Sequence, residues 1–241
     1  LPAYEAFMQA LALDKSKYAI WHQVLVLQSQ LDLYPEMKNT AKEAMELFPN
    51  EPAPYLFLGV AHIKGKDAKE AIVQLKAGKD LVIDDPALML QFYSYLGEAY
   101  YKEKDFANSD LSFDKALEYD PKSATVLNNY AYYLSLRNTQ LEKAEKMSRL
   151  ANELEPGSAS YQDTYAWIFY KMGKFADAKV WLEKAMLSGG SANPNILEHY
   201  GDVLFRLGDK EKALHFWESA KKAGSTSEQL ENKLKEKKLL E

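Results

Sequence analysis

The chain has 241 residues, 47% of them hydrophobic and 27% charged, which is the composition of a folded chain and not of a disordered one. Its net charge of −5 opposes the basic stripe that electrostatic nucleic-acid binding requires. Cysteine is absent, which excludes disulfides, cysteine–zinc sites and thiol catalysis, and no uninterrupted apolar run reaches the roughly 18 residues of a membrane span.

In chain order, residues 3–15 read as an amphipathic helix carrying Ala3, Phe7 and Ala10. It has the pattern of the second helix of a hairpin whose first helix is missing. Residues 1–17 are therefore expected to be the second half of a truncated repeat, cut from a longer protein. Six helical hairpins follow, at 18–51, 52–89, 90–123, 124–158, 159–193 and 194–225. Their internal turns, at Gly65–Asp67, Lys104–Asp105, Asn138–Thr139, Gly173–Lys174 and Gly208–Asp209, each combine a helix stop with a helix start. Pro49, Pro121 and Pro156 close second helices, since proline cannot continue a helix. Near Val82–Pro86 the repeat gains about four residues, roughly one helical turn, which is expected to lengthen a helix or a linker. The glycine-rich joint from Leu187 to Pro194 is expected to be the most mobile. Residues 226–241 read as a capping helix, with Leu230, Leu234, Leu239 and Leu240 on its apolar side and charges elsewhere.

Three registers of small residues define the hairpins. One runs Ala10, Ala44, Gly78, Ala116, Ala151, Ala185 and Ala220, in steps of 34 to 38. A second, seven residues upstream, runs Ala3, Met37, Ala71, Ser109, Ala144, Ala178 and Ala213. A third, in the preceding helices, runs Leu25, Gly59, Gly97, Ala131, Ala166 and Gly201. Helices approach to about 8–10 Å only where the side chains at their crossing are small. A period near 34 is that of a solenoid of helical hairpins, so the fold class is all-α.

The stretch holding Tyr93, Leu96, Gly97, Tyr100, Phe106, Phe113, Ala116 and Pro121 resembles a tetratricopeptide repeat. So does the stretch holding Tyr200, Gly201, Leu204, Gly208, Ala213 and Trp217. The resemblance extends from Leu1 to about Gly224 and implies a right-handed α-α superhelix. Three residues depart from the pattern: Leu25 and Met37 enlarge two small sites, and Gln162 stands where an aromatic or leucine is usual.

There is no glycine-rich phosphate loop, no His-Glu-x-x-His and no Gly-x-Ser-x-Gly, so no catalytic residue, metal or cofactor is expected. His22, His62, His199 and His215 lie far apart, in different helices. Asp84 and Asp85 read as a loop before a helix N-terminus, where negative charge is favoured. Glu142, Lys143, Glu145 and Lys146 read as a solvated helix face.

The resemblance implies that first helices line a concave face. On this chain that face would present Glu98, Tyr101 and Lys102, then Asn128, Tyr132 and Ser135. Asp163, Trp167, Tyr170 and Lys171 follow, then Glu198, Asp202, Phe205 and Arg206. Aromatic rings interleaved with Asn and Asp suit an extended peptide, since rings give contact area at low entropic cost. The expected peptide-binding residues are Glu98, Tyr101, Asn128, Tyr132, Asp163, Trp167, Tyr170 and Asp202. The lysine–asparagine pair with which some members clamp chaperone tails is absent from His22/Val26, Leu56/Val60, Ser94/Glu98 and Asn128/Tyr132.

These features imply a non-catalytic scaffold that binds another protein, with no nucleic acid, metal or cofactor. The alternative is the substrate-recruiting region of a larger enzyme, such as a glycosyltransferase or protease, whose catalytic domain lies outside these residues. The later repeats resemble bacterial repeat proteins, many of them in the cell envelope, which favours the periplasmic side slightly over the cytoplasm.

Overall fold

The structure is a computed structural model and describes residues 2–239. Among these the chain is helical, with no strand. It divides into two compact units, residues 1–121 and 122–241. The N-terminal unit holds α1 (Pro2–Leu13), α2 (Tyr18–Gln30), α3 (Tyr34–Leu47), α4 (Pro52–Lys64), α5 (Ala68–Lys79), α6 (Pro86–Lys102) and α7 (Phe106–Tyr119). The C-terminal unit holds α8 (Ala124–Leu136), α9 (Leu141–Leu154), α10 (Ala159–Lys171), α11 (Phe175–Leu187), α12 (Pro194–Arg206), α13 (Lys210–Lys222) and α14 (Glu228–Glu236).

Every hairpin makes the same turn between its two helices. The N–H groups of Leu33, Asp67, Asp105, Thr139, Lys174 and Asp209 donate to the carbonyls of Gln28, His62, Tyr100, Leu134, Phe169 and Leu204. This is the long-range bond of a Schellman closure. The residue just before each donor (Asp32, Lys66, Lys104, Asn138, Gly173 and Gly208) has a positive φ. Only two of the six are glycine, although the left-handed region costs other residues about 1–2 kcal/mol. The second helix then starts at once. The side chains of Asp67, Asp105 and Asp209 accept the N–H groups of Glu70, Asn108 and Lys212, caps worth about 1 kcal/mol each.

The small-residue registers act through close approach. An ideal Cβ on Gly97 would sit 2.7 Å from the Phe113 ring, so α6 lies directly on α7. A Cβ on Gly78 would sit 2.4 Å from the Cβ of Tyr55 and 2.8 Å from the Phe92 ring, where α5 meets both α4 and α6. In the C-terminal unit Gly201 abuts Trp217 in the same way. Leu25 and Met37 are both fully buried, with Ala41, Leu58 and Ala61 packed around them. Gln162 is also fully buried. Its amide donates to the Pro156 carbonyl at 2.6 Å, a polar substitute for the usual apolar contact.

The inserted turn near Val82–Pro86 goes into α6, which has 17 residues where α4 and α8 have 13. It begins at Pro86, capped by Asp85, and not near residue 90. Gly189 takes φ +98° and Gly190–Ala192 form a 3-10 turn. Gly190 is buried against Ile196 and the Ala185 carbonyl, and Asn193 then caps α12. Glycine is required at 190 by this close approach, and at 189 by the positive φ, since a Cβ there would meet nothing within 4 Å.

The last helix continues the repeat. Its cap, Ser227, stands 34 residues after the α12 cap Asn193, and Leu230 is buried against Leu197, Trp217 and Ala220. α14 thus takes the place of one more first helix. Leu240, expected on its apolar side, lies outside the described residues.

Candidate partner-binding face

In the C-terminal unit α10 packs beside both α8 and α12, so residues about 35 apart meet. Asp163 of α10 bonds Nδ1 of His199 on α12 at 2.8 Å. The His199 ring stacks on Trp167 with centroids 4.2 Å apart. Tyr170 stacks on Trp167 at 4.7 Å, nearly parallel. The Tyr170 hydroxyl accepts from Nε of Arg206 on α12 at 3.3 Å. Nζ of Lys171 lies 4.8 Å from the Trp167 ring centre.

Two groups in this network lack partners. The indole Nε1 of Trp167 is buried with no hydrogen-bond acceptor. Lys171 makes no salt bridge among the described residues. Burial pushes the Lys171 ammonium below its ordinary range, and Arg206 and Lys233 add repulsion, against the opposing pull of Asp202. An arriving carboxylate would relieve that cost.

The other expected residues are placed as follows. Glu98 and Tyr101 belong to α6 of the N-terminal unit. Glu98 is paired along its own helix with Lys102 at 3.5 Å, and Tyr101 leans on Phe106. Tyr132 is half-buried and tilted against Tyr133. Asn128 is only 5% exposed and bonds Asn129 through its amide nitrogen, so it offers little surface to a peptide. Asp202 is a clear correction. It is 3% exposed, accepting from Trp217 Nε1 at 2.9 Å and from Lys233 Nζ at 2.7 Å. Glu198 accepts from the same ammonium at 2.8 Å. α14 covers both carboxylates, and they hold Lys233 charged against its burial. Trp167 is likewise no empty platform, since Tyr170 and His199 already stack on it.

Sequence reading gave no partner to His199, Lys233, Lys143 or Glu145. The signal for His199 was its distance of 36 residues from Asp163, the same as that of Arg206 from Tyr170. Glu142–Lys146 is not a uniformly solvated face, because Lys143 donates to the Tyr130 hydroxyl and Glu145 accepts from Tyr165.

The His199 contact makes stability depend on pH. Burial lowers the imidazolium's pKa, but Asp163, helped by Asp202 and Glu198, raises it net above its ordinary 6.5. A raised folded pKa contributes stability that is fully present below about pH 6.5 and lost as pH rises through the folded value. Thermal melts should therefore show the protein losing stability from pH 6 towards pH 8 by an increment absent from His199→Asn. Identical pH profiles would refute the role of the pair.

Two models described as tetratricopeptide repeat match the chain, at residues 90–123 and 112–146. A TPR repeat-containing protein of Pseudomonas aeruginosa is 31% identical over 85 residues. The matched stretch is 35% of this chain but only 14% of that protein's length. A tetratricopeptide repeat protein from Parabacteroides merdae superposes with a TM-score of 0.73 at 18% identity, over 98% of this chain and 91% of its own. The APC/C hetero-tetramer Cut9–Hcn1 gives a TM-score of 0.83 at 11% identity, over 97% of this chain and 45% of that chain. With the recurring small residues and the identical turns, these matches show tetratricopeptide repeats within residues 90–146 of a chain whose fold is that of a tetratricopeptide-repeat array.

Proposed function

We propose that the protein is a non-catalytic scaffold that holds an extended segment of a partner protein on the face formed by α8, α10 and α12. Tetratricopeptide-repeat proteins generally mediate protein–protein interaction, and one similar solved structure is itself a hetero-tetramer. The observation that carries the reading is the half-buried Lys171, which has no ionic partner yet is held in place over Trp167. Asp163 and Asp202, the nearby carboxylates, are already committed to His199 and Lys233. The unmatched charge is therefore positive, and it favours an acidic segment.

Lys171→Glu tests this reading. It should weaken binding of a glutamate- and aspartate-rich peptide, read by fluorescence anisotropy, by about tenfold or more, the usual penalty for a like charge in a desolvated contact. Lys69→Glu, on the exposed face of α5 in the other unit, should change nothing. Trp167→Ala is the less clean variant, because losing the stack loosens α10 against α12. Equal binding of the acidic peptide by Lys171→Glu and the parent would end this reading.

The Pseudomonas relative is far longer than the matched stretch. That keeps a second reading open, in which the same face recruits substrate to a catalytic domain elsewhere in one polypeptide. A reading frame that encodes such a domain would decide for it.

A further inference from the structure

One repeat breaks the common register with a buried titratable group. His62 supplies the carbonyl that closes α4, the place held by Tyr100, Leu134, Phe169 and Leu204 in later first helices. It is 5% exposed, in a site where burying a polar ring costs free energy unless the ring is hydrogen-bonded. Asp67 meets that need, with Oδ2 lying 3.1 Å from the His62 Nδ1. The other Asp67 oxygen caps α5 by accepting the Glu70 N–H. With Nδ1–H donated to Asp67, the ring keeps its lone pair at Nε2. Nε2 has no hydrogen-bond partner among the described residues.

His62 lines a cavity of about 510 Å³ between the start of α3 and the end of α4, together with Tyr34, Lys38, Lys64 and Asp67. Neither Lys38 nor Lys64 makes a salt bridge among the described residues. Asp67 is the one anion among the lining residues and its charge is felt by Lys38, so the two lysines leave the lining net positive. Burial and Lys38 together hold the imidazole neutral, against the opposing influence of Asp67 and Glu70.

We propose that this cavity binds a small oxyanion of the phosphate class, with Lys38 and Lys64 as counter-charges and His62 Nε2 as acceptor of a hydrogen bond from a protonated phosphate oxygen. The arrangement suits phosphate better than sulfate. Hydrogen phosphate has a P–OH to donate near neutral pH, whereas sulfate is fully ionised and offers the lone pair nothing. The site lies in the N-terminal unit and shares no residue with the face proposed for partner binding, so the two stand or fall separately.

The test is an NMR titration of the full chain, following the His62 ring signals, with inorganic phosphate, O-phosphoserine and sulfate as probes. Phosphate should shift these signals at about tenfold lower concentration than sulfate. Lys38→Gln should weaken the phosphate response by a similar factor. O-phosphoserine binding as well as phosphate would identify the site as one for phosphate monoesters, and phosphate alone would identify it as one for the free ion. His62→Phe, which restores the aromatic seen at Phe169 and is followed through the ring signals of Tyr34 in the same cavity, should fold normally and lose the preference for phosphate over sulfate. The proposal is overturned if phosphate leaves the His62 ring unmoved, if sulfate acts equally, or if Lys38→Gln responds as the parent does.

Discussion

Lys233→Met should release α14 from the C-terminal unit, at a cost of about 3 kcal/mol or more. Lys233 is 4% exposed and its ammonium lies between Glu198 and Asp202. Methionine matches its length and apolar stem but leaves two carboxylates buried, with only the Trp217 indole and the Ser227 hydroxyl as donors. Breaking a buried pair by removing one partner typically costs about 3–5 kcal/mol, because the remaining charge stays uncompensated. Undocking limits the damage: if α14 lifts away, water solvates Glu198 and Asp202, and the loss becomes that of Leu230 against Leu197 and Trp217. Hydrogen exchange should therefore show α14 amides unprotected in the variant, with α8–α11 little changed. Protection of α14 equal to that of the parent would mean that Leu230 alone holds the helix.

Gly78→Ala should lower stability by up to about 2 kcal/mol, although the same change in an open helix normally helps. Alanine gains about 1 kcal/mol of helix propensity over glycine. Here, however, the new methyl would stand 2.4 Å from the Tyr55 Cβ. That atom is fixed to the α4 backbone and cannot rotate aside, so the helices must separate, and overpacking of this kind costs about 1–3 kcal/mol. For Gly97→Ala the three nearest atoms all belong to the Phe113 ring and none to backbone or a Cβ, so this variant should lose less. Gly157→Ala has nothing within 4 Å and should be neutral or stabilising. Thermal melting of the three variants checks the order. A Gly78→Ala variant that melts at or above the parent temperature would contradict the close-approach account of the registers.

The repeats were legible because each small residue answers a contact that recurs every 34 residues or so, and such a pattern survives in one dimension. Gly97 against Phe113 and Gly201 against Trp217 are that pattern realised. The turns were legible for the same reason, although the sequence did not show that Lys66 and Lys104 would hold the left-handed position that Gly173 and Gly208 take. The proposed binding face was harder to read. Tyr170, Lys171 and Trp167 could be assigned to it by register, but register says nothing about what a neighbouring helix lays across them. Asp202 and Trp167 are covered by Lys233 and His199, residues that lie 31 and 32 positions further on. Their pairing depends on how closely α14 and α12 approach. At the glycine joint, the sequence did not show that Gly190 would be a close-approach residue, because that depends on where Ile196 and the Ala185 carbonyl lie.

The indole N–H signal of Trp167 offers the most direct test of the proposed face. It is a buried donor without an acceptor, beside the unpaired Lys171. It can be assigned in the full chain by comparison with Trp167→Phe and followed while an acidic peptide, or a lysine-rich peptide of equal length, is added. The account predicts that the acidic peptide alone shifts this signal, and that the shift disappears in Lys171→Glu. A Trp167 signal that moves with neither peptide, while the acidic peptide perturbs residues elsewhere, would contradict it.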